Sequence, residues 1–223
     1  MLEVREGYRL WAPSYAEETV ASKLDDLLVA DLTPPMTGLR LLDAGCGTGR
    51  RLQDCAAASA TGVDLSPDML DAGLGSDFDD GRIRTMVGDV RDLPLPDRSF
   101  DLVWCRLVIG HLPAIDRAYA ELARVADKGA TVIVTDFHPD AVAAGHKRTF
   151  RNGDQVHELE HHVYEPHAHI AAARAAGLSL MAQRDAKIGP QVEEMFASTN
   201  RMALYQEAAG LPLVLGFAFR KDN

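Results

Sequence analysis

The 223-residue chain has only three cysteines, Cys46, Cys55 and Cys105. An odd number with no CxxC spacing excludes a disulfide framework and a zinc knuckle, so all three are expected to be reduced and structural. Excess positive charge is missing too: 23 Lys and Arg stand against 33 Asp and Glu, a formal net charge of −10. Affinity for nucleic acid or an anionic membrane rests on cationic side chains meeting phosphates, and this balance argues against a general affinity for either. No long uncharged apolar run occurs, and the start "MLEVREGYRLWAPSY" lacks the basic end, apolar core and small-residue cleavage site of a secretory leader. A cytoplasmic location is the expectation. Internal repeats and low-complexity tracts are also absent. What is present, 47% hydrophobic and 25% charged residues, suits one globular domain spanning residues 1–223.

Ser14 and Glu17 have capping-box spacing, and Val20, Leu24, Leu27 and Leu28 follow at helical intervals until "TPP" at 33–35 stops the pattern. Five short apolar runs come next: "LRLLDAG" (39–45), "TGVDLSP" (61–67), "IRTMVGD" (83–89), "FDLVWC" (100–105) and "ATVIVTDF" (130–137). Between the last two, Ile115, Ala118, Tyr119, Leu122, Val125 and Ala126 make one helical stripe that Gly129 is expected to end. Strands alternating with helices imply parallel βαβ units and an α/β, doubly wound sheet covered on both faces. Near the end, "LSLMAQRDAKI" and "PLVLGFAFRK" read as two strands around a helical stretch at 190–208.

"LLDAGCGTGR" puts Gly45, Gly47 and Gly49 on the turn after the first strand, where the backbone can bend sharply and a ligand can approach without meeting a Cβ. The spacing is G-x-G-x-G, with Arg50 where a dinucleotide fingerprint needs its third glycine, which disfavours an NAD-linked oxidoreductase. Asp64, 19 residues after Gly45 at the end of the second strand, is placed to accept hydrogens from both ribose hydroxyls. Asp89, at the end of the third strand, suits an exocyclic amine. The three features fall on successive strand ends, along the edge where open α/β sheets bind ligands.

"LLDAGCGTGR", "GVDLSPDML", "GDVRDLPLPDRSFDLVWC" and "ELARVADKGATVIVTD" together resemble the successive motifs of class I S-adenosylmethionine-dependent methyltransferases, in particular the small-molecule type 11 branch. "YRLWAPSYAE" resembles that branch's N-terminal lid and "PLVLGFAFRK" its last strand, so the resemblance covers nearly the whole chain. It implies a Rossmann-like sheet of seven strands in the order 3-2-1-4-5-7-6 with strand 7 antiparallel, lid helices within residues 1–35 and a substrate-cap segment at 138–170. It further implies S-adenosyl-L-methionine as cofactor. Asp43 and the backbone of Ala44, Gly45 and Gly47 would surround its methionine moiety, and Asp64 its ribose. Leu65 and Met69 would sandwich adenine, with Asp89 and the Val90 amide at its edge. Cys105 and Arg106 would lie beside the sulfonium through their backbone. Tyr8, Trp11 and Tyr15 would close the lid, an aromatic face that also attracts a cation.

Methyl transfer from a sulfonium needs an aligned nucleophile, exclusion of water and, for a hydroxyl or acidic carbon, a base. Histidine is the commonest base near neutral pH. His111, after the fourth strand, and His138, after the fifth, occupy the right end of the sheet. "VHELEHHVYEPHAHI" (156–170) holds five more of the eight histidines. Read as a strand, it points His161 and His162 to opposite faces and separates His157 from His161 by about 13 Å, too far for common ligation at a zinc–nitrogen distance of about 2.1 Å. His167 and His169 fall in the first turn of the next helix. No metal site is therefore expected, and His161 is the inward candidate of the group.

The reading is an enzyme that moves a methyl group to oxygen, nitrogen or carbon of a small-molecule acceptor by in-line displacement, working as a monomer or homodimer. Two other functions remain open: a tRNA or protein methyltransferase, and a cofactor-binding partner or regulatory protein that transfers nothing.

Overall fold

The protein is described by a computed structural model covering residues 2–15 and 18–222. Its elements in chain order are α1 (Val4–Trp11), α2 (Val20–Leu32), β1 (Arg40–Ala44), α3 (Arg50–Gln53), β2 (Ser59–Asp64), α4 (Pro67–Asp71), β3 (Ile83–Val87), β4 (Phe100–Arg106) and α5 (Asp116–Val125). There follow β5 (Ala126–Phe137), α6 (Pro139–Ala143), β6 (Thr149–Asn152), β7 (Gln155–Glu158), α7 (Pro166–Ala175), β8 (Leu178–Lys187), α8 (Pro190–Ala197), α9 (Met202–Ala208) and β9 (Pro212–Lys221).

Seven strands form one sheet in the order β3-β2-β1-β4-β5-β9-β8, with β9 antiparallel to both β5 and β8. This is the expected order once the hairpin β6–β7, a separate two-stranded unit, is set aside. Alternate residues of each strand serve opposite faces. Leu42 and Ala44 of β1, Val103 and Cys105 of β4, and Phe217 and Phe219 of β9 join Tyr119 and Leu122 of α5 and Ala172 of α7 in one core layer. Leu41, Leu102, Trp104 and Ala218 face the other way, toward Val29 of α2. The second face continues where Leu24 and Leu28 of α2 meet Val192 and Phe196 of α8. Double-sided burial is why these strands read as unbroken apolar runs.

Three local expectations give way. Glu17 lies outside the described residues, and α2 is capped by Thr19, whose hydroxyl accepts from the Ser22 amide while the Ser22 hydroxyl accepts from the Thr19 amide. Gly129 does not end α5. The helix stops at Val125 and the chain runs straight into β5, which holds Gly129 at φ +73° near a register shift against β4. The passage 159–165 is an extended connection rather than a strand, because only Gln155–Glu158 finds a hairpin partner. Among the described residues no helix is long and apolar enough to cross a membrane.

Candidate functional site

The carboxyl ends of β1, β2, β3 and β4 converge on a cavity of about 440 Å³. Gly45 and Gly47 form one wall, and both need the left-handed backbone that glycine tolerates, at φ +84° and +60°. A Cβ on Gly45 would fall 2.2 Å from Val108 Cγ2, and one on Gly47 would point into the 3.2 Å space before Met69 Cε. The loop therefore presents bare backbone to the cavity.

Asp64 ties this loop to the sheet: Oδ2 accepts from the Gly47 amide at 2.7 Å and Oδ1 from the Ser66 amide at 2.9 Å. Burial raises its pKa, partly offset by those amides. Each oxygen keeps a lone pair for a further donor. Leu65, an unusually exposed leucine at 40%, lies beside buried Met69 on the cavity wall with Val90. Asp89 lines the same cavity, but its carboxylate is gripped by Arg91 through Nε and Nη2, which holds it below the usual carboxylate range. Arg91 has no signal in the sequence beyond its place after the acid.

The opposite wall comes from three distant parts of the chain. Tyr8 of α1 places its hydroxyl 2.9 Å from His111 Nε2, and Arg148 Nη2 donates to that hydroxyl at 2.6 Å. His111 Nδ1 lies 3.3 Å from the Glu160 carbonyl, which can only accept, so the Nδ1–H tautomer satisfies both ring nitrogens. Burial first, then the Arg148 charge, holds the His111 pKa well below its ordinary 6.5. Burial likewise raises the Tyr8 phenol. Trp11 stands in a column with Tyr8 at 5.7 Å and Phe150 of the hairpin at 5.1 Å, and His157 stacks on the far side of Phe150. Leu2 completes the roof by pairing with the cap: its N–H donates to the Glu158 carbonyl at 2.8 Å and its carbonyl accepts from the Glu160 N–H at 2.9 Å.

The structure thus gathers Tyr8, Tyr15, Gly45, Gly47, Asp64, Leu65, Met69, Asp89, Val90, Arg106 and His111 around one cavity. It separates others. Asp43 and Ala44 are buried behind the glycine loop and line no cavity wall. Asp43 Oδ1 has no hydrogen-bond partner among the described residues, and burial pushes this carboxyl up to about 6. Cys105 is fully enclosed in the core, and burial keeps its thiol protonated. Trp11 faces a second, adjoining cavity.

His138 must be removed from the candidates for proton transfer. Its Nδ1 accepts from the Asp140 amide at 3.1 Å, capping α6, and the ring borders neither cavity. His161 does turn inward, but against buried Asp136, with Nε2 3.7 Å from Oδ1, and it too is walled off from both cavities. Gly110 permits that approach, since a Cβ there would lie 2.3 Å from His161 Nε2. His162 points the other way and lines the main cavity, in place of His161, the expected inward residue. His169 is buried, with Nδ1 2.9 Å from the Tyr119 hydroxyl. Among the described residues no three His, Cys, Asp or Glu side chains are grouped to hold a metal ion.

Beneath the loop, Asp25 is fully buried and accepts from Arg106 Nη2 at 2.7 Å, Arg106 Nε at 3.0 Å and Thr135 Oγ1 at 2.6 Å. Asp26 accepts from Arg51 Nε at 2.7 Å and also pairs with Arg106. The Arg106 guanidinium is thereby committed to structure, leaving its backbone at the cavity seam.

A doubly wound sheet with antiparallel β9, a glycine turn and successive acids on its carboxyl edge is the architecture that the sequence resemblance implied. Residues 42–134 match the family model described as Methyltransferase domain, that of the type 11 branch of S-adenosylmethionine-dependent methyltransferases. Over 212 residues it is 29% identical to 27-O-demethylrifamycin SV methyltransferase of Amycolatopsis mediterranei, a match covering 89% of this chain and 77% of the relative. Over 103 residues it is 35% identical to malonyl-(acyl-carrier protein) O-methyltransferase of Pectobacterium atrosepticum. That second match covers 45% of this chain and only 40% of the relative's length. In fold the chain is similar to an S-adenosylmethionine-dependent methyltransferase from Mesorhizobium loti, with TM-score 0.67, 19% identity and coverage of 89% of this chain and 98% of the other.

The cavity fits S-adenosylmethionine. Its bare-backbone wall at Gly45 and Gly47 leaves room that side chains would fill, and the spare lone pairs of Asp64 and Asp89 match ribose hydroxyls and an amine. Leu65 and Met69 offer apolar faces to a base. The enzyme is a methyltransferase with this cofactor.

Proposed function

We propose that the chain methylates a small-molecule acceptor, with His111 receiving the acceptor's proton through Tyr8. The observation that carries this reading is the 2.9 Å contact between the Tyr8 hydroxyl and His111 Nε2 on the wall of the main cavity. When bound, S-adenosylmethionine supplies a methyl group on a sulfonium that is already a good leaving group. The protein is left to orient the acceptor, exclude water and take a proton.

The cofactor is assigned to Asp64, Asp89, Leu65, Met69, Val90 and the Gly45 and Gly47 backbone. Tyr8 donates to His111 and accepts from Arg148, which leaves one oxygen lone pair for an acceptor hydroxyl. As that hydroxyl loses its proton to Tyr8, the Tyr8 proton passes to His111. Burial and the Arg148 charge keep His111 neutral at physiological pH, so Nε2 is free to take a proton, while the same depression makes it a weaker base than an ordinary histidine. The Arg148 charge, one hydrogen bond away, favours a developing oxyanion at the same place.

The rifamycin relative acts, by its name, on a small molecule rather than a macromolecule. A single domain over residues 1–223 is in keeping with this reading. The test is calorimetric titration with S-adenosylhomocysteine beside an Asp64→Ala variant, followed by an acceptor screen. Tight cofactor binding with no turnover across hydroxyl, amine and acidic-carbon acceptors would favour a silent partner protein instead. Salt-dependent retention on RNA would favour a tRNA substrate.

A further inference from the structure

The second cavity, about 310 Å³, adjoins the first and shares Tyr15, Gly45, Arg106, Leu107 and Arg148 with it. Its lining is mixed. Trp11, Val20, Leu107, Phe137 and Leu213 supply an apolar surface. The charged part is overwhelmingly cationic: Arg50, Arg51, Arg106, Lys147, Arg148 and Arg201 against Asp25 alone.

Most of these cations are accounted for. Arg51 and Arg106 pair with Asp25 and Asp26, Arg50 lies 3.6 Å from Asp26, and Lys147 pairs with Glu158 on the surface. Arg201 is exposed to water. Arg148 differs from all of them. It is 9% exposed, yet among the described residues no carboxylate lies within ion-pairing distance. Nη1 donates to the Leu107 carbonyl at 2.9 Å and Nη2 to the Tyr8 hydroxyl at 2.6 Å. Its carbon face lies over the Phe137 ring at 5.2 Å. Two of five N–H donors are used, and a buried guanidinium without a counter-ion is costly unless something anionic arrives.

We propose that Arg148 recognises an anionic group, a carboxylate or phosphate, on the methyl acceptor, whose apolar body occupies the second cavity. The remaining donors of Arg148 form a fork suited to two oxygens. Placing the anion there sets the acceptor at the seam of the two cavities, beside Tyr8 and Gly45, where the group to be methylated can meet the donor. Arg148 is thus a specificity residue as well as a neighbour of the proton-accepting pair. Calling the ligand the acceptor rests on the methyltransferase reading; the anion site itself does not.

The experiment titrates benzoate and phenyl phosphate, with benzyl alcohol as the neutral counterpart, into the protein with and without saturating S-adenosylhomocysteine. Wild type, R148Q and R148K are compared, and each is also titrated with S-adenosylhomocysteine and with methylthioadenosine, which lacks the amino-acid carboxylate. The expected result is that at least one anion binds the cofactor-saturated wild type and the alcohol does not. R148Q then weakens the anion by on the order of 10- to 100-fold, the scale of a charged hydrogen bond, and R148K recovers part of it. Equal binding of alcohol and anions, or of anions to wild type and R148Q, overturns the proposal. So does an R148Q loss confined to S-adenosylhomocysteine, with methylthioadenosine spared, because the arginine would then serve the cofactor's own carboxylate. Anion binding that depends on Arg148 in a protein that takes neither cofactor analogue would keep the site and refute the methyltransferase reading.

Discussion

The two cavities meet at Tyr15, Gly45, Arg106, Leu107 and Arg148 but differ in charge: the first mixes carboxylates with arginines, and the second has Asp25 as its one acid among six Lys and Arg. One is edged by carboxylates at the ends of β2 and β3, each held by backbone amides or a neighbouring arginine. The other is edged by guanidiniums drawn from α3, the end of β4 and the cap. The sheet itself fixes where consecutive strand ends lie, so Asp64 and Asp89 are brought to one edge by the fold. The cationic side depends on which residues the lid and cap happen to bring over the sheet, and this is where one member of a fold can differ from another.

The sharpest way to break this division is at the proton-accepting pair. His111→Gln should lower turnover by about 10² to 10⁴, the usual weight of general base catalysis, while S-adenosylhomocysteine affinity stays near wild type. Tyr8→Phe should act in the same direction, and loss of cofactor binding in either would make both residues part of the cofactor's binding wall instead. The next effect is on stability. Asp25→Ala leaves Arg106 buried at 5% side-chain exposure with its main partner gone, and should cost about 3–5 kcal/mol in denaturant unfolding. Asp64→Ala removes two amide acceptors and the proposed ribose partner together, and should weaken S-adenosylhomocysteine by about 100-fold in calorimetry. Smallest is His138→Ala, which deletes one cap and should cost about 1 kcal/mol with turnover unaltered.

Acid provides an independent check. His111 has a folded pKa below its ordinary 6.5, so between the two values the unfolded chain binds more protons and stability falls as pH drops through that window. Asp43 has the reverse sign: with its folded value raised from 3.8 to about 6, it lowers stability as pH rises across that range. Comparing wild type with His111→Gln isolates the first contribution. The variant should show a shallower loss of stability on acidification from neutral pH, and parallel curves would refute the buried, neutral imidazole.

The sheet and its acidic edge were legible because the determinants are local. The run that ends at Ala44, the glycines that follow, and Asp64 at the end of the next strand lie within a short stretch of sequence, and both periodicities are those of single elements. Tyr8, His111 and Arg148 come from three segments with no common pattern. His111 drew notice only from its place after β4, and nothing in "HKRTF" marks Arg148 as different from Lys147 beside it. His138 misled for a related reason: it stands at the proper end of the sheet, but a helix begins at the next residue and claims its ring. The histidine-rich passage resolves residue by residue. His157 stacks on Phe150, His161 faces Asp136, His162 reaches the cavity and His169 is buried against Tyr119. Alternation predicted that His161 and His162 diverge; His161 was the expected inward residue, but it turns against Asp136 in the core and His162 lines the cavity.

The two backbone hydrogen bonds between Leu2 and the cap make the chain's first residues part of the roof. Any movement of Leu2 away from the cap would break both at once. A tag or fusion joined ahead of Leu2 would load the clasp itself and report on its release. One joined after β9, which is paired on both sides between β5 and the edge strand β8, would sit on the sheet frame.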